Sequence, residues 1–266
     1  MICLGAFDTK INKGPFTEMW TEHPIIYQIN ESLRDIPDEV FLRTRVRDLP
    51  IKELPKRYMD AIVDVEKELI GANLNHLEID YFIADEWFCP DGSTSVAIPF
   101  WLTTKRLTKI EKSIIGKVEG ETVKEFKMLL RHEIGHCIEH AFRLSKTKYW
   151  QLLFGDPKIP YRTSNYSWIK NTADFVNHLP DGYAQCHPEE DFAETFAVWI
   201  NPKSDWKNRY KSHKGAYLKL QYVDRVVKEV SRRNPRKKSS RLSEAIRMRK
   251  TLSQSYTDRL RDLSLI

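Results

Sequence analysis

Two residue pairs in this sequence have the types and spacing to do chemistry together. The first lies in His132-Glu133-Ile134-Gly135-His136. Residues four apart on a helix stand one turn above each other, so the imidazoles of His132 and His136 can converge on one metal ion. Glu133 sits beside them, where its carboxylate can take a proton from a metal-bound water. The chemistry this implies is metal-assisted hydrolysis. Leu129, Leu130, Ile134, Cys137, Ile138, Ala141 and Phe142 surround the motif with apolar positions, which does not suit two solvated histidines. Gly135 costs about 1 kcal/mol against alanine inside a helix, so something should require a small residue there.

A catalytic zinc usually takes three protein ligands and leaves one position open. A histidine six residues beyond the second is one known solution, but that position is Phe142. His140, eight residues beyond His132, is rotated about 80° away on an ideal helix and reads as a flank residue. The second pair is the better source. Glu190 and Glu194 are four apart in Pro188-Glu189-Glu190-Asp191-Phe192-Ala193-Glu194-Thr195-Phe196-Ala197. Carboxylates are not left unpaired in such apolar surroundings. A metal for one and a metal-bound histidine for the other would satisfy both. Two imidazoles and a carboxylate with no thiolate point to zinc among the divalent metals.

Several elements must position these pairs. Tyr58, Met59, Ala61, Ile62, Val65, Leu69 and Ile70 recur at helical spacing from Lys56 to about Leu74. Leu77, Ile79 and Tyr81 alternate with acids as a half-buried strand, Cys89–Ser93 supplies turn chemistry, and Val96, Ile98 and Phe100 alternate as a second strand. Pro99 suggests that this second strand lies on an edge. A helix is expected over Thr104–Ile115. Thr122-x-x-Glu125 resembles a capping box ahead of the helix that carries His132. Pro188, followed by three acids, starts the helix that carries Glu190 and should run to about Ile200. His187 beside it could contact substrate, act in catalysis or start the helix. A last helix is expected over Ala216–Arg232. The class is α+β with a mostly helical C-terminal half.

Three regions are expected: an irregular N-terminal segment over 1–55 packed on the rest, a central domain over 56–230, and a basic helix-prone tail over 231–266. Apolar residues make up 41% and charged residues 30% of the 266, the profile of a soluble globular protein. No apolar run approaches the ~20 residues of a membrane helix, and no secretory signal opens the chain. The four cysteines make no CxxC pair and fit a reducing compartment, so a cytoplasmic location is expected. Each cysteine reads as a small buried hydrophobe. Between Arg225 and Lys250, eleven basic residues face only Glu229 and Glu244, a local excess larger than the whole chain's +6. The basicity belongs to the tail.

The motifs together resemble the gluzincin class of zincins, in which the first glutamate of ExxxE completes the metal site. The resemblance is closer to a bacterial family of zinc-binding metallopeptidases. It rests on Ala84-Asp85-Glu86-Trp87, Pro99-Phe100, Leu130–His136 and Tyr183–Trp199, and covers roughly 77–226. It implies a zincin-like domain, with a small antiparallel sheet whose edge strand lies over the active-site helix and binds substrate backbone, the candidate being Thr94–Trp101. It implies Glu190 as the third ligand of one catalytic Zn2+ and Glu194 as the partner of a ligating histidine. Lethal-factor-like zinc peptidases and Pro-Pro endopeptidases are more distantly similar. In those a tyrosine seven residues before the glutamate ligand assists the reaction, which here is Tyr183 as a donor to the oxyanion. The cysteine-rich N-terminal ribbon frequent in the nearer family is missing.

The expected function is a zinc metallopeptidase that hydrolyses peptide bonds of a peptide or protein substrate by a Glu133-activated, zinc-bound water. The alternative is a non-catalytic or partner-specific regulatory zinc protein. Its basic tail, Arg232–Arg241, would bind nucleic acid or an acidic partner. The intact Glu133 speaks against a purely structural zinc, which has no use for a base.

Overall fold

Among the described residues, the longer helices form where apolar residues recur every three to four positions. The computed structural model describes residues 36–49, 54–161, 169–170, 172–235 and 249–263. Among them the helices in chain order are α1 (Asp38–Phe41), α2 (Lys56–Gly71), α3 (Lys105–Ile115), α4 (Val123–Phe142), α5 (Lys148–Phe154), α6 (Pro188–Ile200), α7 (Trp206–Tyr210), α8 (Lys214–Val230) and α9 (Leu252–Asp262). Two strands, β1 (Asp80–Ala84) and β2 (Ser95–Pro99), lie between α2 and α3. The α+β class is as expected.

Helix α4 is the axis of the molecule. Its capping box forms as the sequence suggests: Glu125 N–H donates to Thr122 Oγ1 at 3.2 Å, and Thr122 N–H donates to Glu125 Oε2 at 3.3 Å. From Leu129 to Phe142 every residue except His140 is buried. A helix buried all round belongs at a core's centre. Phe126, Leu130, Ile134, Cys137 and Ile138 join residues of α2, β2, α5, α6 and α8 in one cluster. Arg131 ties α4 to α2 through a two-pronged ion pair with Glu68, at 2.7 and 2.8 Å. Asp191 of α6 meets Lys219 of α8 at 2.6 Å.

The sheet differs from the expected antiparallel one. β1 and β2 pair in parallel, Asp80 with Ser95 through Ala84 with Pro99. The connection between them explains the difference. It does not fold back as a hairpin but crosses to the far side of β2, where Phe88 C=O accepts from Ala97 N–H at 2.9 Å in an isolated antiparallel bridge. Thus β2 is flanked on both sides and wholly buried. The expected edge strand Thr94–Trp101 is not an edge at its centre, and Trp87–Asp91 borders the cleft in its place. Pro99 is tolerated because it is the strand's last residue. β1 starts later than Leu77 because Leu74–Leu77 close a turn, with Leu77 N–H on Leu74 C=O.

The two ends of the described chain meet. Arg45 bridges Thr251, Val46 N–H donates to Lys250 C=O, and Leu252 N–H donates to Thr44 C=O, both bonds 2.9 Å. Leu252 and Tyr256 of α9 enter the main cluster beside Phe41, Val46 and Leu49. Residues 1–35 and 236–248, which hold most of the irregular N-terminal segment and the middle of the basic tail, lie outside the described residues. No helix among the described residues is long and apolar enough to cross a membrane.

Candidate metal centre

The site forms where α4 and α6 approach too closely for an ordinary side chain. A Cβ on Gly135 would lie 2.8 Å from Ala193 Cα and 3.1 Å from its carbonyl oxygen. That contact is the reason for a glycine in the middle of α4. It brings the His132/His136 face of one helix against the Glu190/Glu194 face of the other. Pro188 opens α6, and His187 caps it by accepting Glu189 N–H on Nδ1 at 3.2 Å. Of the three roles open to His187, the cap is the one this contact supplies.

His132 Nε2 lies 2.9 Å from Glu190 Oε2 and 3.2 Å from His136 Nε2, and His136 Nε2 is 3.3 Å from the same Glu190 oxygen. Among the described residues, His132, His136 and Glu190 are the group of three whose ligand atoms gather closely enough to hold one metal ion. The other nitrogen of His132, Nδ1, is 2.9 Å from Glu194 Oε1. With its proton on Nδ1, His132 donates to Glu194 and turns a bare lone pair toward Glu190. Two nitrogens and a carboxylate oxygen then face one another, an arrangement that needs a cation among them. Ligands about 2.0–2.1 Å from a tetrahedral zinc sit roughly 3.3–3.4 Å apart. The observed triangle is close to that, so the residues fit the ion.

Burial alone would lower both histidines, but Glu190 and Glu194 outweigh it for His132, and Glu190 raises His136 to about 9. Burial would raise Glu190, but His136 and His132 hold it well below the usual carboxylate range. Glu133, 6% exposed, behaves oppositely. Burial pushes it up to about 7 against the pull of His132 and His136, where a base can both take and give a proton near neutrality.

Tyr183 sits in a 3-10 turn, Pro180–Gln185, with its ring 5.7 Å from that of His132. The preceding residues fix that turn. His178 Nε2 donates to Met128 C=O at 3.0 Å, and Leu179 N–H donates to Glu194 Oε2 at 2.8 Å. Glu194 therefore serves His132 and the Tyr183 turn together. Burial, with Glu190 nearby, raises the Tyr183 phenol and keeps it protonated. A cleft of about 200 Å³ joins these residues to Trp87, Phe88, Cys89, Tyr161 and His140.

The structure thus brings together His132, Glu133, His136, Tyr183, Glu190 and Glu194. His140 is not part of the triad and turns to Cys89 and Ser93. Tyr161 was not singled out by the sequence. It stacks on His187 at 3.7 Å and donates to Glu189 Oε2 at 2.9 Å on the cleft wall. No spacing signal could have found it, because its place is set by contacts with His187 and Glu189, far along the chain. No curated protein and no solved structure matches the chain. Residues 121–239, the segment that holds α4, the Tyr183 turn and α6, match the model of the family described as "Putative zinc-binding metallo-peptidase", the family that the motifs resemble.

Proposed function

We propose that the protein is a zinc-dependent peptidase of the gluzincin kind, with His132, His136 and Glu190 holding one ion. The observation that carries this reading is the triangle of His132 Nε2, His136 Nε2 and Glu190 Oε2, none farther than 3.3 Å from another, with a base beside it. When bound, zinc supplies a Lewis acid that polarises a carbonyl and lowers the pKa of water toward ~7.

The chain's own residues do the remainder. Glu133 takes the proton of the attacking water and delivers it to the leaving amine. Tyr183 keeps its proton and donates a hydrogen bond to the oxyanion that develops on the scissile carbonyl. Glu194 holds the His132 ring through Nδ1, fixing its tautomer. The substrate is a peptide or protein segment lying in the cleft between Trp87–Asp91 on one side and Tyr161 and Tyr183 on the other. The cleft's burial of Glu133 excludes bulk water and keeps the carboxyl near neutrality.

Metal content tests the reading. Native protein, Glu190→Ala and Glu194→Ala are prepared without added metal and measured by elemental analysis. About one zinc per chain is expected in the native protein, its loss in Glu190→Ala, and weaker retention in Glu194→Ala. A folded native sample that takes up no zinc when supplied with it sinks the proposal.

A further inference from the structure

A second group of reactive side chains lies on the cleft wall, outside the triad. Cys89 Sγ is 3.5 Å from Cys137 Sγ and 3.4 Å from His140 Nδ1. The two cysteines are 48 positions apart and come from different elements, Cys89 from the connection after β1 and Cys137 from α4. Cys89 is half-buried and lines the cleft, whereas Cys137 is fully buried behind it.

Three uses of such a cluster can be compared. A metal would need both sulfurs and the imidazole gathered about one point. Among the described residues they are not so gathered, unlike His132, His136 and Glu190. Simple packing would leave two thiols in contact with no consequence, yet one of them opens on the cleft and faces an imidazole. A dithiol that can close is the use that fits: one sulfur accessible, one sheltered, and about 1.5 Å of approach separating the present contact from a bond of about 2.05 Å.

We propose that Cys89 and Cys137 are a redox-responsive pair, oxidised by a peroxide to a disulfide that ties the cleft wall to the helix of the metal site. The Cys89 thiolate attacks one peroxide oxygen, forming S–O as O–O breaks, and the departing hydroxide takes a proton to become water. Cys137 sulfur then displaces the sulfenic hydroxyl. The proton from Cys137 leaves with that hydroxyl as a second water, and the pair has given two electrons to the peroxide. His140 stabilises the attacking thiolate. The contact of 3.4 Å between His140 Nδ1 and Cys89 Sγ puts the ring nitrogen close enough to donate to that thiolate.

The bond has a mechanical effect. Cys137 follows His136 directly, and α4 is fixed on both sides by α2 and α6, so the yielding partner is the Trp87–Asp91 wall. Closure draws Cys89 toward α4 and fixes that wall to the helix. The sequence offers no hint of this, since the two cysteines form no motif.

The test uses the full chain, folded, with hydrogen peroxide as the probe, and does not depend on peptidase activity. Treated protein is expected to lose the mass of two hydrogens and to yield a Cys89–Cys137 cross-linked peptide under non-reducing digestion. Dithiothreitol should reverse it. In Cys89→Ser the cross-link vanishes, and in Cys137→Ala the reaction stops at a Cys89 sulfenic acid that dimedone traps. If Cys137→Ala fails to fold, Cys89→Ser alone decides. The proposal is overturned if Cys89 and Cys137 remain separately alkylated after treatment, or if Cys89 links to Cys3 or Cys186 instead.

Discussion

Glu133 is placed by one residue of sequence and tuned by everything packed around it. Its neighbours His132 and His136 form the triad with Glu190, while its own carboxyl sits at about 7 because burial outweighs their attraction. On the proposed mechanism, Glu133→Gln removes the base and keeps the shape. Turnover of any peptide the protein cleaves should fall about 10²- to 10⁴-fold, with zinc content unchanged by elemental analysis; equal loss of both would make Glu133 a structural residue. Gly135 is the other residue-scale dependency. Its missing Cβ would meet backbone atoms of Ala193, which cannot swing aside as a side-chain tip can. Gly135→Ala gains helix propensity of about 1 kcal/mol, but overpacking costs about 1–3 kcal/mol. Denaturant titration is therefore expected to show net destabilisation, accompanied by weaker zinc binding as Glu190 is pushed back.

At the scale of elements, α4 and α6 were legible because their information is local. A capping box, a Pro188 start and i, i+4 pairs depend on neighbours in the sequence, and the structure reproduces their boundaries to within a few residues. The sheet was not legible. Alternation told that Val96 and Ile98 lie in a strand, but whether β1 or the Phe88 segment lies on either side depends on a connection whose path no periodicity encodes. The clamp of α3 against α9 was equally hidden. Glu111, fully buried, meets Arg259 at 3.1 Å, and burial lifts its carboxyl from 4.5 to about 7 despite that cation. A raised carboxyl means that the folded state holds the proton more tightly than the unfolded one. Its stabilisation is complete below about 4.5 and is lost as pH rises to about 7, then stays constant. Urea titrations between those values should give a steeper fall with pH for the native protein than for Glu111→Gln. Equal slopes would show that Glu111 titrates normally.

For the whole molecule, the charge pattern of the sequence marks off a basic tail over 231–266, and beyond the basic stretch α9 returns to the core. Leu252 is 0% and Tyr256 2% exposed, and the Arg45–Thr251 bridge closes the chain. Burial of each large apolar side chain is worth about 1.5–3 kcal/mol, so ending the chain after Pro235 should destabilise it by at least ~3 kcal/mol and lower Tm clearly in a thermal melt. An unchanged Tm would mean that α9 contributes nothing. The question of whether the basic residues bind nucleic acid is better asked by replacing Arg236, Lys237 and Lys238 with serine, which leaves α9 in place.

That closure also bears on when the protein becomes competent during synthesis. Positions 45 and 251 span nearly the whole described chain, and Glu190 must join His132 from 58 residues downstream. A ribosome releases the chain from its N-terminal side, so α4 emerges with its histidines long before the carboxylate that completes their triangle. The segment that seals the core emerges later still. A chain that has not yet reached Glu190 therefore carries no assembled triangle, and the contacts that seal the core wait for the segment around Thr251.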